Sequence, residues 1–243
     1  MKTATLILLA FFLAPGSIFA QGSVEEVLDK GVEYFEQGSY DLAILEYDKA
    51  IKVRPSLSDA YGLRGEAYMF QGNYDLAISD FNKAIELKPD FADVYAERGI
   101  VYYKRAKFDQ AISDLNKAIK LKPDFARAYI NLGNVYRDRA DFDRAISEYT
   151  KAVEIDPNLY EAYNLRGDVY ARKGSYDQVI SDFTRAIEIK PDYAEAYSNR
   201  ALAYYIKEDY ANAWLDVCRA QELGFKVDPQ FIQALEEATV GQE

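Results

Sequence analysis

The sequence contains no histidine, one cysteine, one tryptophan and two methionines in 243 residues. Without His, the usual general base near neutral pH and the commonest metal ligand are both missing. A single thiol, Cys218, makes neither an internal disulfide nor a Cys-rich zinc site. It sits inside an apolar helical pattern and reads as a small core residue. Basic residues are also scarce: 29 Lys and Arg against 40 Asp and Glu leave a formal net charge of -11. With no concentrated basic face, the chain is a poor candidate for nucleic acid, whose binding rests on phosphate neutralisation. There is no Gly-rich phosphate cradle, no nucleophile elbow and no metal-ligand spacing. No catalysis, cofactor, metal or small-molecule substrate is therefore expected.

Long hydrophobic runs are lacking too. The most apolar stretch, in "MKTATLILLAFFLAPGSIFA", runs from about Leu6 to Ala14 before Pro15-Gly16 interrupts it, short of the roughly 20 residues that span a bilayer. One Lys, an apolar segment and small residues after a break are the layout of a secretory signal peptide, residues 1–20, cleaved after Ala20. Ile18 stands where a small residue suits cleavage better, so an uncleaved membrane anchor is the alternative. The expected location is secreted or periplasmic, with membrane contact only if the N-terminal segment is retained.

What is abundant is repetition. "GSYDLAILEYDKAIKVRP", "GNYDLAISDFNKAIELKP", "AKFDQAISDLNKAIKLKP", "ADFDRAISEYTKAVEIDP", "GSYDQVISDFTRAIEIKP" and the weaker "EDYANAWLDVCRAQELGF" follow one another at a spacing of 34 residues without insertion. Counting each repeat from 1 to 34, position 8 is Gly31, Gly65, Gly99, Gly133, Gly167 and Ala201, and position 11 is Tyr in all six. Ala fills position 27 throughout, and Pro stands at position 32 in five repeats. This pattern resembles the tetratricopeptide repeat family over residues 24–227. The resemblance implies an all-α fold, a right-handed superhelical solenoid of antiparallel helix pairs with repeats at 24–57, 58–91, 92–125, 126–159, 160–193 and 194–227.

The pattern also makes physical sense. Small residues at positions 8, 20 and 27 let two helices approach closely, and aromatic residues at 4, 11, 17 and 24 fill the space between them and the next repeat. Pro at 32 ends the second helix. Ser56, Asp90, Asp124, Asn158 and Asp192 are expected to cap first helices, and Ser39, Asn73, Asp141, Ser175 and Asp209 to cap second helices. Terminal repeats must be sealed against water. "VDPQFIQALEEA", with a helix start at Asp228-Pro229 and an apolar stripe of Phe231, Ile232 and Leu235, is expected to form a capping helix within residues 228–243.

Position 7 carries a base and position 23 an acid in five repeats, which predicts structural ion pairs within repeats. The four Arg pairs are Arg64 with Asp80, Arg98 with Asp114, Arg166 with Asp182 and Arg200 with Asp216. The planar guanidinium suits a carboxylate in a partly buried setting. Repeat four keeps the acid but has Leu132, so Glu148 is expected to find water or another cation.

In tetratricopeptide repeat proteins the first helices line a concave groove that takes an extended or helical peptide. Carried over by position, the resemblance implies groove residues Phe35, Glu66, Phe70, Glu97 and Tyr103 in repeats one to three. In repeats four to six it implies Arg127, Asn131, Asn134, Arg137, Asn164, Arg172 and Asn199. The first set is acidic and apolar; the second can bond a peptide backbone or a carboxylate. The expected partner is a protein or peptide with a basic or amphipathic segment at the N-terminal half and a backbone or acidic group near repeats four and five. The competing reading is that these charges only keep a helical surface soluble. Two specialised signatures fail: the chaperone-tail carboxylate clamp falls on Ile130, Leu165 and Glu195, and an Asn ladder is interrupted by Leu165 between Asn131 and Asn199. The function expected is a noncatalytic interaction scaffold outside the cytoplasm. The alternative is an architectural module that self-associates through terminal repeats or its outer surface.

Overall fold

The computed structural model describes residues 17–240, with side chains from Val24 onward. The expected signal peptide lies outside the described residues except for the backbone of Ser17–Ala20, which belongs to the first helix.

Among the described residues the chain is helical throughout, with no strand. The helices are α1 (Ser17–Glu36), α2 (Tyr40–Val53), α3 (Ser58–Phe70), α4 (Tyr74–Leu87), α5 (Ala92–Lys104), α6 (Phe108–Leu121) and α7 (Ala126–Asp138). They continue with α8 (Phe142–Ile155), α9 (Tyr160–Arg172), α10 (Tyr176–Ile189), α11 (Ala194–Ile206), α12 (Tyr210–Glu222) and α13 (Pro229–Val240). Two compact units are present, Met1–Val94 and Tyr95–Glu243. In the first, α1 packs on α2, α2 on α3, and α3 on α4; in the second, the same alternation runs from α6 to α13. This is the consecutive helix-pair packing of a tetratricopeptide repeat solenoid.

Position 8 shows why the sequence folds this way. A Cβ on Gly65 would stand 2.7 Å from Phe81 Cε1, and one on Gly133 would stand 2.5 Å from Tyr149 Cε1. Glycine there lets a fully buried aromatic ring from the second helix lie directly on the first. Burying such a ring contributes roughly 1.5–3 kcal/mol, so the close approach converts directly into repeat stability. The turn joining the two helices needs a left-handed residue. Gly38, Gly72 and Gly174 supply it without strain, while Ala106, Ala140 and Glu208 adopt positive φ at a steric cost.

Pro55, Pro89, Pro123, Pro157 and Pro191 each stand two residues beyond the last residue of a second helix. The capping expectation needs correction. The residue before four of the first helices is Leu57, Phe125, Leu159 or Tyr193, and none makes a side-chain cap bond. Ser56, Asp124, Asn158 and Asp192 lie one residue earlier, and the carbonyls of Asp90, Asp124, Asn158 and Asp192 accept turn bonds from Ala92, Ala126, Tyr160 and Ala194. Of the second-helix caps, Asp141 and Asp209 accept bonds from the amides of Arg144 and Asn212, whereas Ser39, Asn73 and Ser175 hold the position without a side-chain cap bond, and the Asn73 amide donates to Gln71 instead. Cys218 is also not in the core: it is exposed on α12.

At the C-terminus, α13 packs against α12. Leu235 is fully buried beside Val217, Ala220 and Val227, and Phe231 meets Tyr205 edge-on at 5.5 Å between ring centres.

Candidate functional site

Four arginines at repeat position 7 grip the position-23 aspartate of their own repeat through paired hydrogen bonds. Arg64 Nε and Nη2 donate to Asp80 at 2.7 Å each. The corresponding pairs are 2.7 and 2.8 Å for Arg98 with Asp114, 2.8 and 2.7 Å for Arg166 with Asp182, and 2.7 Å twice for Arg200 with Asp216. The remaining guanidinium nitrogen reaches back one repeat, to Asp48 from Arg64, Thr150 from Arg166 and Thr184 from Arg200. One side chain thus ties a helix pair together and joins it to its predecessor. Position 25 was the signal for that second bond, and only the stacking of repeats brings it within reach.

Glu148 has no hydrogen bond or ion pair among the described residues. Burial pushes its carboxyl above the usual range, with Lys151 pulling the other way. Lys151 itself bonds Glu154 at 2.7 Å, so no cation replaces the missing arginine at Leu132.

A second ladder was not foreseen. Position 14 of one repeat bonds the position-18 acid of the repeat before: Gln71 to Asp41, Arg139 to Asp109, Lys173 to Asp143, and Lys207 to Asp177. These contacts are exposed and fasten the turn edge. Two depressions, of about 380 and 370 Å³, lie along this edge, around Tyr40 and Phe142.

The expected groove residues divide by unit. In the first unit, Phe35 meets Phe70 edge-on at 5.2 Å, and both rings contact Tyr40. Phe70 remains half exposed, and Glu66 lies near enough to the buried Tyr47 to raise its phenol pKa together with burial.

In the second unit the first helices α5, α7, α9 and α11 present a connected polar face. Arg127 pairs with Glu97 at 2.9 Å. Asn131 turns back to the carbonyl of Arg127 at 2.9 Å. Asn134 accepts from the buried Tyr149 hydroxyl at 2.7 Å. Tyr103 donates to Asp138, which also accepts from Arg137 Nε at 3.0 Å. Arg137 thus commits one of its donors to a carboxylate of its own chain. Asn164 is buried at 9% exposure, and its Oδ1 has no hydrogen-bond partner. Arg172 is exposed and Asn199 partly buried.

Asp138, Asp168 and Glu195 also belong to this face. Burial, with Glu195 adding repulsion, pushes the Asp168 carboxyl up to about 6, while Arg137 and Arg172 act in the opposite direction. Its position, one helical turn beyond Asn164, was legible; its desolvation by neighbouring repeats was not.

The folded chain holds the Asp168 proton more tightly than the unfolded chain, so stability falls as pH rises from the unfolded value, about 4, through about 6. Asp168→Asn is expected to stabilise the protein at about pH 7.5 by about 1–2 kcal/mol, after discounting for partial exposure. The gain should vanish near pH 4. Thermal unfolding at the two pH values checks it, and an equal gain at both would show that titration is not the cause.

Among the described residues no helix is long and apolar enough to cross a membrane, and no group of three metal-ligating side chains gathers. The family pattern described as TPR repeat matches residues 31–72, 65–105, 101–138, 133–174 and 167–207. No curated protein matches the chain. Among solved structures, MamA is similar at 31% identity over 68% of this chain and 96% of its own, with a TM-score of 0.61. YrrB, described as a TPR protein with an unusual peptide-binding site, shares 24% identity over 73% of this chain and 95% of its own, with a TM-score of 0.57. Pseudomonas aeruginosa pilF shares the fold at 19% identity, covering 89% of this chain and 99% of its own, with a TM-score of 0.78. From its repeat spacing, its helix-pair packing and these matches, the chain belongs to the tetratricopeptide repeat family.

Proposed function

We propose that the chain is a noncatalytic scaffold that binds a peptide or partner protein along the first-helix face of α7, α9 and α11, and that it acts outside the cytoplasm after export. The observation that carries this reading is the buried Asn164 oxygen left without a partner on that face. An unpaired buried acceptor is costly unless something supplies a donor. Tetratricopeptide repeat proteins are generally interaction modules, and the peptide-binding site described for YrrB is a precedent on the same fold.

The test compares two variants as bait in the extracytoplasmic fraction. Arg172→Glu with Asn199→Ala changes the proposed face, while Leu215→Lys changes an exposed position on α12. A partner lost from the first bait and kept by the second supports the reading; loss from the Leu215 variant alone moves binding to the outer surface. A phosphatase reporter joined after residue 23 that remained inactive would rule out export.

Exposed Leu42 and Leu45 on α2 and Leu76 on α4 favour a second reading, self-association through the outer surface of the first unit. A monomer in concentrated solution by light scattering would exclude it.

A further inference from the structure

Asn164 and Asp168 lie one turn apart on α9, at an i,i+4 spacing that puts both on one face. Their polar atoms have a common character. Asn164 Oδ1 is a buried acceptor with no donor, and no hydrogen bond joins Asp168 to another described residue. The groups that face Asp168 come from four helices and the turn before α11: Arg137 of α7, Tyr149 of α8, Arg172 of α9 itself, Tyr193, and Glu195 in the first turn of α11. The cations among them do not close on it. Arg137 is engaged by Asp138, and Arg172 projects into solvent. Glu195 adds further negative potential. Asn164 Oδ1 and the Asp168 carboxylate are therefore acceptors to which no donor among the described residues is hydrogen-bonded.

One repeat later, at the positions equivalent to Asp168 and Arg172, α11 carries Leu202 and Ile206, 47% and 43% exposed. An acceptor cluster followed by an apolar step complements a strand that carries a cation and then an aliphatic side chain.

Resting on the groove reading above, we propose that Asn164 and Asp168 form a pocket for a lysine or arginine side chain of the bound peptide, with Leu202 and Ile206 receiving an aliphatic neighbour. Repeat five thus selects a basic residue and not the acidic group that its arginines suggest from sequence. The ammonium or guanidinium donates to both oxygens, and its charge favours the ionised form of Asp168.

The test uses labelled decapeptides of alternating Lys and Leu, Gln and Leu, or Glu and Leu, titrated against the full chain by fluorescence anisotropy. The Lys peptide should bind more tightly than the Gln peptide, and the Glu peptide least. Asp168→Asn and Asn164→Leu should each weaken the Lys peptide by about tenfold, the scale of one lost charge-assisted hydrogen bond. Asp192→Asn removes an exposed acid elsewhere in the same unit and should leave the affinity unchanged, separating a defined pocket from general attraction to an acidic chain. Acidification from about pH 7.5 to about pH 5 should weaken binding to the native chain, with a smaller loss in Asp168→Asn.

Hydrogen-exchange footprints distinguish the ways of failing. Protection on α7, α9 and α11 with undiminished affinity in both pocket variants overturns the pocket and leaves the groove reading standing. Protection elsewhere overturns both. Lys and Gln peptides bound equally, or not at all, overturn the cation assignment, and the Arg172 and Asn199 bait then decides the groove reading independently.

Discussion

Replacing Asp182 by Ala should destabilise the second unit by about 3–5 kcal/mol, because it leaves a buried guanidinium without its carboxylate. The side chains of Arg166 and Asp182 are only 14% and 5% exposed. Burial raises the Asp182 carboxyl above its ordinary range despite the pull of Arg166, so desolvation offsets much of the attraction between them. That balance separates two experiments. Removing one partner is costly, whereas replacing both by apolar residues of similar volume, Arg166→Met with Asp182→Leu, should be close to neutral. A double-mutant cycle with Arg166→Ala and Asp182→Ala should show a coupling well above 1 kcal/mol, and no coupling would remove the pair from any account of stability. Asp177→Ala, which breaks an exposed contact to Lys207, serves as the control and should cost about 0–1 kcal/mol.

Leu235→Ala is the second large effect. The side chain is fully buried between α13 and repeat six, and truncating such a leucine costs about 2–5 kcal/mol through lost burial and the cavity left behind. In a stacked chain the loss falls on the end: repeat six should lose hydrogen-exchange protection first, since each repeat is held by its neighbours. Deleting residues 228–243 should do the same to a greater degree. Unchanged thermal unfolding in both variants would mean that α13 is not a cap. Val240, exposed on the same helix, should tolerate Ala with no measurable effect.

Much of the architecture could be read from the chain because the repeat writes the same local instructions many times. Gly at position 8 and an aromatic at position 24 identify the close approach between two helices, and Pro at 32 marks where the second helix has ended. The arginine and aspartate at positions 7 and 23 likewise announced a pairing, since their spacing recurs with Leu132 as the single neutral exception. Caps on the first helices were misplaced because Asp, Asn and Ser after proline serve turns as well as helix starts. The structure uses their carbonyls, one residue before the apolar cap position. Cys218 is exposed for a related reason: an amphipathic pattern places a residue near the boundary of two faces, and packing chooses between them.

The candidate site was less legible. The sequence marks Arg137 and Asn134 as polar residues on the first helix, yet their partners Asp138 and Tyr149 come from the same helix and the second helix, and Asp138 also accepts from Tyr103 of the preceding repeat. Sequence position states which face a residue occupies, but not whether a neighbour has already satisfied it. The chain by itself determined the repeat, the helix pairs and the positions that face one another, because these follow from a periodicity of 34 residues and from the sizes of side chains. Only the tertiary structure decided which polar groups remain open, since desolvation of Asp168 and the unpaired oxygen of Asn164 arise from side chains far away in sequence that packing brings together.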